Sequence, residues 1–181
     1  MLRKNVLIGC MALMALPAWA EADAGGRWLL QTSLWTTHYT SQPEHNERQE
    51  LLGLEWQAPA AWRFAWQEEG RALQRMPWLG ELQWLAGGAS FRNSFSQRSI
   101  YLYGGARYDL FEGRATRFYA KLTAGLMNGY RGEYRDKIPL NRFGTAPVLL
   151  PSLGLEYRNM NLELVPFGAA GLMLNAGVYV F

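Results

Sequence analysis

Residues Thr116–Met127 read TRFYAKLTAGLM. Phe118, Ala120, Leu122 and Ala124 alternate with Arg117, Tyr119, Lys121 and Thr123, a period of two that belongs to a strand and not to a helix. The same alternation recurs at Leu52, Leu54 and Trp56 against Gly53, Glu55 and Gln57. Segments of this kind cover Arg27–Tyr39, Glu50–Gln57, Gly80–Phe91, Ser99–Asp109, Thr116–Met127, Ala146–Tyr157, Asn161–Val165 and Leu172–Phe181. Glycine, asparagine, proline and charged clusters separate them, as turns require. Eight is an even number, which suits a closed antiparallel barrel.

Alternation leaves open which face meets the core, because a water-soluble sandwich would turn the apolar face inward. Three further signs favour an outward apolar face in lipid. Residues 1–20, MLRKNVLIGCMALMALPAWA, have the basic start, apolar stretch and small-residue end of a secretory signal peptide. Trp and Tyr gather near segment ends, as in interfacial girdles. The chain finishes in AGVYVF, with Tyr179 and Phe181 in the last strand, which resembles the end of bacterial outer-membrane barrels. The expected architecture is therefore all-β: an eight-stranded antiparallel transmembrane barrel, in one domain over residues 21–181. Residues 58–79 stand out as a long connector on the periplasmic side, with strand-like alternation at Trp62, Phe64 and Trp66 and a short helical stretch from Glu69 to Met76.

The charge balance narrows function. The formal net charge of +3 includes Arg3 and Lys4 of the signal segment; without them 16 positive residues face 15 negative ones. Nucleic-acid binding loses its electrostatic basis. Cys10, the one cysteine, lies in the signal segment, so the remainder has neither a disulfide nor a thiol nucleophile. Reading LIGC at Cys10 as a lipoprotein signal is weak, because the apolar run before it is short. Histidines and carboxylates are too sparse at ligand spacing for a metal site, and no cofactor is implied.

In an up-and-down barrel the first and third strands end on the same rim. That brings His38 and the stretch FRNSFSQRS, Phe91–Ser99, to one side. Ser94 offers a hydroxyl, His38 a base near neutral pH, and Asn93 an amide that orients a ring or stabilises an oxyanion, parts that suit acyl transfer. His45 competes with His38 for the base role. Arg48, Arg92 and Arg98 on the same rim suit phosphate contacts, or are solvated loop charges.

The sequence resembles the outer-membrane lipid A palmitoyltransferases, the PagP family. In that family a catalytic histidine closes the first strand, and a polar loop with Asn-Glu-Arg leads to a Gly-rich second strand. Here His38 is followed by HNERQELLGLEW, His45–Trp56. The family's Phe-Lys-Asp-Ser-Trp is matched by Phe91-Arg92-Asn93-Ser94-Phe95. Its Ile-Pro-Leu-Pro-Val-Leu-Leu-Pro is split here into Ile138-Pro139-Leu140 and Pro147-Val148-Leu149-Leu150-Pro151, and its Tyr-Ile-Pro-Gly corresponds to Val165-Pro166-Phe167-Gly168. The resemblance implies a monomeric enzyme of the bacterial outer membrane, with its catalytic residues at the extracellular rim, that moves a palmitoyl chain from a phospholipid to a hydroxyl of lipid A. His38 would be the base, Ser94 the nucleophile or a proton relay, and Asn93 the orienting group where the family has aspartate. Gly105, or its neighbour Gly104, would mark the floor of the acyl pocket. Pro151 and Pro166 would interrupt pairing at a lateral lipid gate, whereas Gln49 replaces the proline that marks a second gate. A lipid A deacylase and a non-enzymatic adhesive barrel are the alternative readings.

Overall fold

A computed structural model describes residues 25–40, 45–59, 62 and 75–180. The signal segment, most of the 58–79 connector with its expected short helix, and Phe181 lie outside the described residues. Eight strands form one closed sheet in chain order: β1 (Arg27–His38), β2 (Leu52–Gln57), β3 (Gln83–Arg92), β4 (Arg98–Glu112), β5 (Thr116–Asn128), β6 (Thr145–Tyr157), β7 (Met160–Pro166) and β8 (Gly171–Val180). Every neighbouring pair is antiparallel, and β1 closes on β8. The expected strands are all present, with ends that coincide or differ by up to three residues. The start of the expected third strand is instead a 3-10 turn, Pro77–Glu81, with Pro77 in its first turn.

Side-chain direction follows the alternation read from the sequence. Leu30, Leu54, Leu102, Leu122, Leu126, Leu153 and Leu164 point outward and are exposed, while Leu29, Glu55, Lys121 and Glu163 point inward and are buried. An apolar outside around a polar inside is the arrangement of a barrel solvated by lipid. Among the described residues no helix is long and apolar enough to cross a bilayer. On β1 the crossing runs from Trp28 to Trp35, two exposed tryptophans at the ends of its outward apolar face. Gly113–Ala115 and Arg158–Asn159 connect strands tightly at one end, whereas at the other end β5 and β6 are joined by the long stretch 129–144, and thirteen residues of chain separate β1 from β2.

The bore is filled by side chains. Lys121 Nζ lies 2.9 Å from Glu55 Oε2 and 2.7 Å from Glu163 Oε2, tying β5 to β2 and β7 across the interior. Tyr103 donates to Glu55 at 3.0 Å, and Gln31 and Ser152 donate to Glu163 at 2.8 and 2.6 Å. Nearer the tight-turn end, Arg107 pairs with Glu156 at 2.7 Å and Asp109 at 2.6 Å, and its guanidinium stacks over Tyr119. Arg27 joins the same Glu156 carboxylate at 2.7 Å. Bulky aromatics fit because glycines face them: a Cβ on Gly154 would run into the Tyr119 ring. Polar groups hidden from both water and lipid are stable when partnered, and this network partners most of them, Arg107 Nη2 and Asn175 Oδ1 being without a partner among the described residues.

The open interior space is correspondingly small. A cavity of about 60 Å³ lies toward the long-loop end, with Leu51, Leu150, Val165 and Met173 on its walls and Lys121 and Glu163 at its base. The acyl-chain pocket expected from the sequence is thus narrower than a long chain requires, because charged side chains occupy the lower bore.

Removing Lys121 leaves two buried carboxylates without their cation. Lys121→Met is expected to destabilise the barrel by about 3–5 kcal/mol, measured by equilibrium urea unfolding in lipid vesicles.

Candidate functional site

β1 begins with odd-numbered residues facing the bore, Leu29 and Gln31 among them. Unbroken alternation would then point His38 outward. Instead the register against β8 shifts between Ser33 and Trp35, where Leu34 is an extra residue. Leu34 and Trp35 both face out, at 59% and 52% exposure, and Thr36 returns to the inside. This β-bulge reverses the parity of the strand and turns His38 inward. It falls where β1 has lost its partner on one side, since pairing with β2 ends at Thr32 and Leu52. A strand bonded on one side accommodates an extra residue more readily than one bonded on both.

Ser94 meets His38 from the loop between β3 and β4. Its Oγ lies 2.7 Å from His38 Nε2. The two loops are stitched together by the backbone: Asn46 N–H donates to Ser94 O at 2.7 Å, and Arg92 N–H to Gln49 O at 2.6 Å. Asn46 Nδ2 adds bonds to Arg48 O and Asn93 O. His45 stacks on His38 with ring centroids 4.4 Å apart, and Phe167 packs edge-on to it at 5.5 Å. Tyr130, from the loop after β5, lies beside Ser94, and burial raises its phenol above the usual range against the opposing effect of Ser94, so it keeps its proton.

Asn93 departs from the orienting role expected of it. Its Oδ1 accepts from the backbone N–H groups of Phe95 and Gln97 at 2.9 and 3.0 Å, and its Nδ2 donates to Ser99 Oγ at 3.2 Å. The side chain is consumed in shaping the turn that presents Ser94. His38 Nδ1 is buried with no partner among the described residues, as is Thr36 Oγ1 two positions earlier on the same face. Among the described residues the imidazole thus has its side-chain hydrogen bond at Nε2, to Ser94, and none at Nδ1.

His38 stands three residues beyond Trp35, at the rim. Burial lowers its pKa below the ordinary histidine value of 6.5, the neighbouring His45 lowers it further, and Glu47 opposes both. The ring is thus neutral at pH 7, with Nε2 able to accept the Ser94 proton.

The remaining expected residues divide. Gly105 faces the interior and Gly104 faces outward. Gly105 is covered, however: a Cβ there would collide with Leu122 O and come within 3.0 Å of Thr123 Cα, so close approach of β5 accounts for the glycine. Arg92 is engaged by Glu50 at 2.9 Å, and Arg48 is exposed at the rim; Arg98 reaches Ser90 Oγ at 3.3 Å.

Pro151 and Pro166 sit where the wall opens. Pairing of β6 with β7 runs from Tyr157 and Met160 only as far as Leu153 and Leu164, and the prolines stand just past that point. Thr145–Ser152 of β6 therefore lacks a ladder partner on the β7 side, although β5 pairs with it throughout. Leu150 and Ser152 from one side of this gap and Val165 from the other line the cavity. The short β2 leaves a second gap beside Ser33–His38, without a proline, because the chain before Leu52 is not in the ladder.

No protein-family model matches the chain, and no curated protein does. Among solved structures it is similar to the Yersinia pestis outer membrane protein Ail, whose backbone structure was determined in a phospholipid bilayer nanodisc. The TM-score is 0.39 and the identity 11%, over 86% of this chain and 99% of Ail.

Because burial outweighs His45 in lowering the His38 pKa, His45→Phe is expected to raise its titration midpoint yet leave it below 6.5, as read by NMR in micelles. Deleting Leu34 removes only the extra residue and is expected to leave His38 inward opposite Gly171, whereas deleting Thr37 moves His38 into the outward place that Thr37 holds. The Ser94 bond is then lost, visible as a changed His38 ring resonance in a barrel that still closes.

Proposed function

We propose that this protein is an acyltransferase of the bacterial outer membrane, taking an acyl chain from a phospholipid and placing it on a hydroxyl of lipid A. The observation that carries the reading is the 2.7 Å Ser94–His38 contact at a rim directly above a cavity whose wall is unpaired at Pro151 and Pro166. A water-soluble substrate needs no opening in the side of a barrel; a lipid in the surrounding bilayer does. The ladder interruption is chemically fitting, since proline lacks the N–H that would close it.

In this mechanism a phospholipid slides its acyl chain through the gap between β6 and β7 and places its ester carbonyl beside Ser94. His38 Nε2 takes the hydroxyl proton as the new C–O bond forms. Either Ser94 Oγ attacks the carbonyl and carries the acyl group to the acceptor, or it relays the proton of an acceptor hydroxyl that attacks directly. In both routes His38 returns the proton to the departing lyso-phospholipid oxygen. Tyr130, a protonated phenol beside Ser94, would donate to the developing oxyanion. Arg48 and Arg98 at the same rim are the cations for lipid phosphates. The family resemblance implies palmitoyl as the chain.

The decisive test is mass spectrometry of lipid A from cells expressing the protein, beside Ser94→Ala and His38→Ala at equal assembled levels. An added acyl mass is expected with the unaltered protein and a loss of at least 100-fold with either variant. No gain with the unaltered protein overturns the transferase and leaves a barrel without this chemistry; loss of an acyl group indicates a deacylase. The rate is expected to fall on the acid side below pH 6.5, as His38 gains its proton, and to hold level from there to pH 8. A disulfide joining Ser152→Cys to Val165→Cys should abolish transfer, and reduction should restore it, if lipid enters between β6 and β7.

A further inference from the structure

Beneath His38 and Ser94 the bore changes character within two layers of side chains. Val165 of β7 and Met173 of β8 pair in an apolar first layer. Two residues farther from the rim, Glu163 and Asn175 pair in a second layer that is polar. Lys121 is held there between Glu55 and Glu163. Asn175, 5% exposed, borders the cavity, and its Oδ1 has no partner among the described residues. Below this layer Tyr119 and Arg107 are fully buried. Gly105 does not border the open space.

We propose that this polar layer is the floor of the acyl site and that the enzyme transfers a short acyl chain, about eight carbons long, in place of palmitoyl. The inference rests on the acyl-transfer reading above. From Gly171, opposite His38, to Asn175 is four residues of β8. At about 3.3 Å per residue and a strand tilt near 40°, that is ~10 Å along the barrel axis, or roughly eight carbons of an extended chain.

The cavity of about 60 Å³ is only the starting space. Leu51, Leu150 and Met173 line it and are apolar, so they make room for an acyl chain by changing rotamer and then pack against it. The floor has no such freedom. Displacing Lys121 would leave Glu55 and Glu163 buried and unpaired, and displacing Glu163 would strand its Lys121, Gln31 and Ser152 partners. Methylenes pushed past the first layer would also cover the open Asn175 oxygen, closing it off from any hydrogen-bond donor. Each CH₂ above the floor adds favourable burial, whereas each one beyond it meets charge.

The test uses the folded barrel in one detergent, with lipid A as acceptor and phosphatidylcholines bearing two octanoyl, two dodecanoyl or two palmitoyl chains as donors. Initial rates are read by mass spectrometry. Octanoyl transfer is expected to exceed palmitoyl transfer at least tenfold. Met173→Trp fills the first layer and should cut octanoyl transfer tenfold or more. Replacing the triad together, Glu55→Leu, Lys121→Met and Glu163→Leu, lowers the floor and should move the preference toward dodecanoyl. Palmitoyl transfer by the unaltered enzyme equal to or faster than octanoyl transfer overturns the proposed floor while leaving the transferase intact. Absence of transfer from every donor by a folded barrel overturns the transferase reading, and the chain length with it. The unaltered enzyme's ratio decides the matter even where a variant does not fold.

Discussion

The interior of this barrel turns on one ammonium group. Lys121 reaches across the bore to carboxylates on β2 and β7, and the hydrogen bonds that surround Glu55 and Glu163 draw in β1, β4 and β6. In a membrane barrel the outside gains little from packing against itself, because lipid tails solvate leucine as well as leucine does. Specific contacts must therefore come from within. A buried cation satisfied by two buried anions is costly to disturb, so the triad holds the strands in relation to one another and divides the bore into a packed lower part and a partly apolar upper part.

The upper part is where the ladder is incomplete. β2 and β7 are the short strands, and their neighbours β1 and β6 extend beyond them toward the rim. Each consequence has chemical value. On β1 the missing partner goes with the bulge at Leu34 that aims His38 inward, and on β6 it leaves an opening beside the cavity. Serine and histidine thus meet at the rim of a barrel whose β6–β7 ladder is incomplete beside an interior cavity. Ser94 holds one ring nitrogen of His38, and His45 and Phe167 pack against the ring.

Much of the fold is written locally. The alternation in Thr116–Met127 specifies which residues face the bore, and the eight segments agree with the eight strands because a period of two depends only on neighbouring residues. The pairing of His38 with Ser94 was legible through strand order, since alternate strands end at the same rim. Other features were not. The role of Asn93 changed because its amide was captured by backbone N–H groups two and four residues away, a local competition that a motif comparison does not weigh. Tyr130 belongs to a distant loop whose return to Ser94 no pattern near residue 94 announces. Asn46 could have been suspected from its place in the Asn-Glu-Arg stretch, but its partners become visible only once two loops are docked.

Sequence alone determined an all-β chain with an apolar face and a polar face on each strand, and it placed a histidine, a serine and two prolines at strand ends. Those properties follow from residue order and the geometry of an extended chain. Only the tertiary structure decided that the apolar face looks outward, because that depends on closure of β1 against β8. It alone decided that His38 faces the bore, since one extra residue reverses the parity of everything after it. The packing of the interior likewise belongs to the folded state, where carboxylates from β2 and β7, far apart in the chain, converge on one lysine.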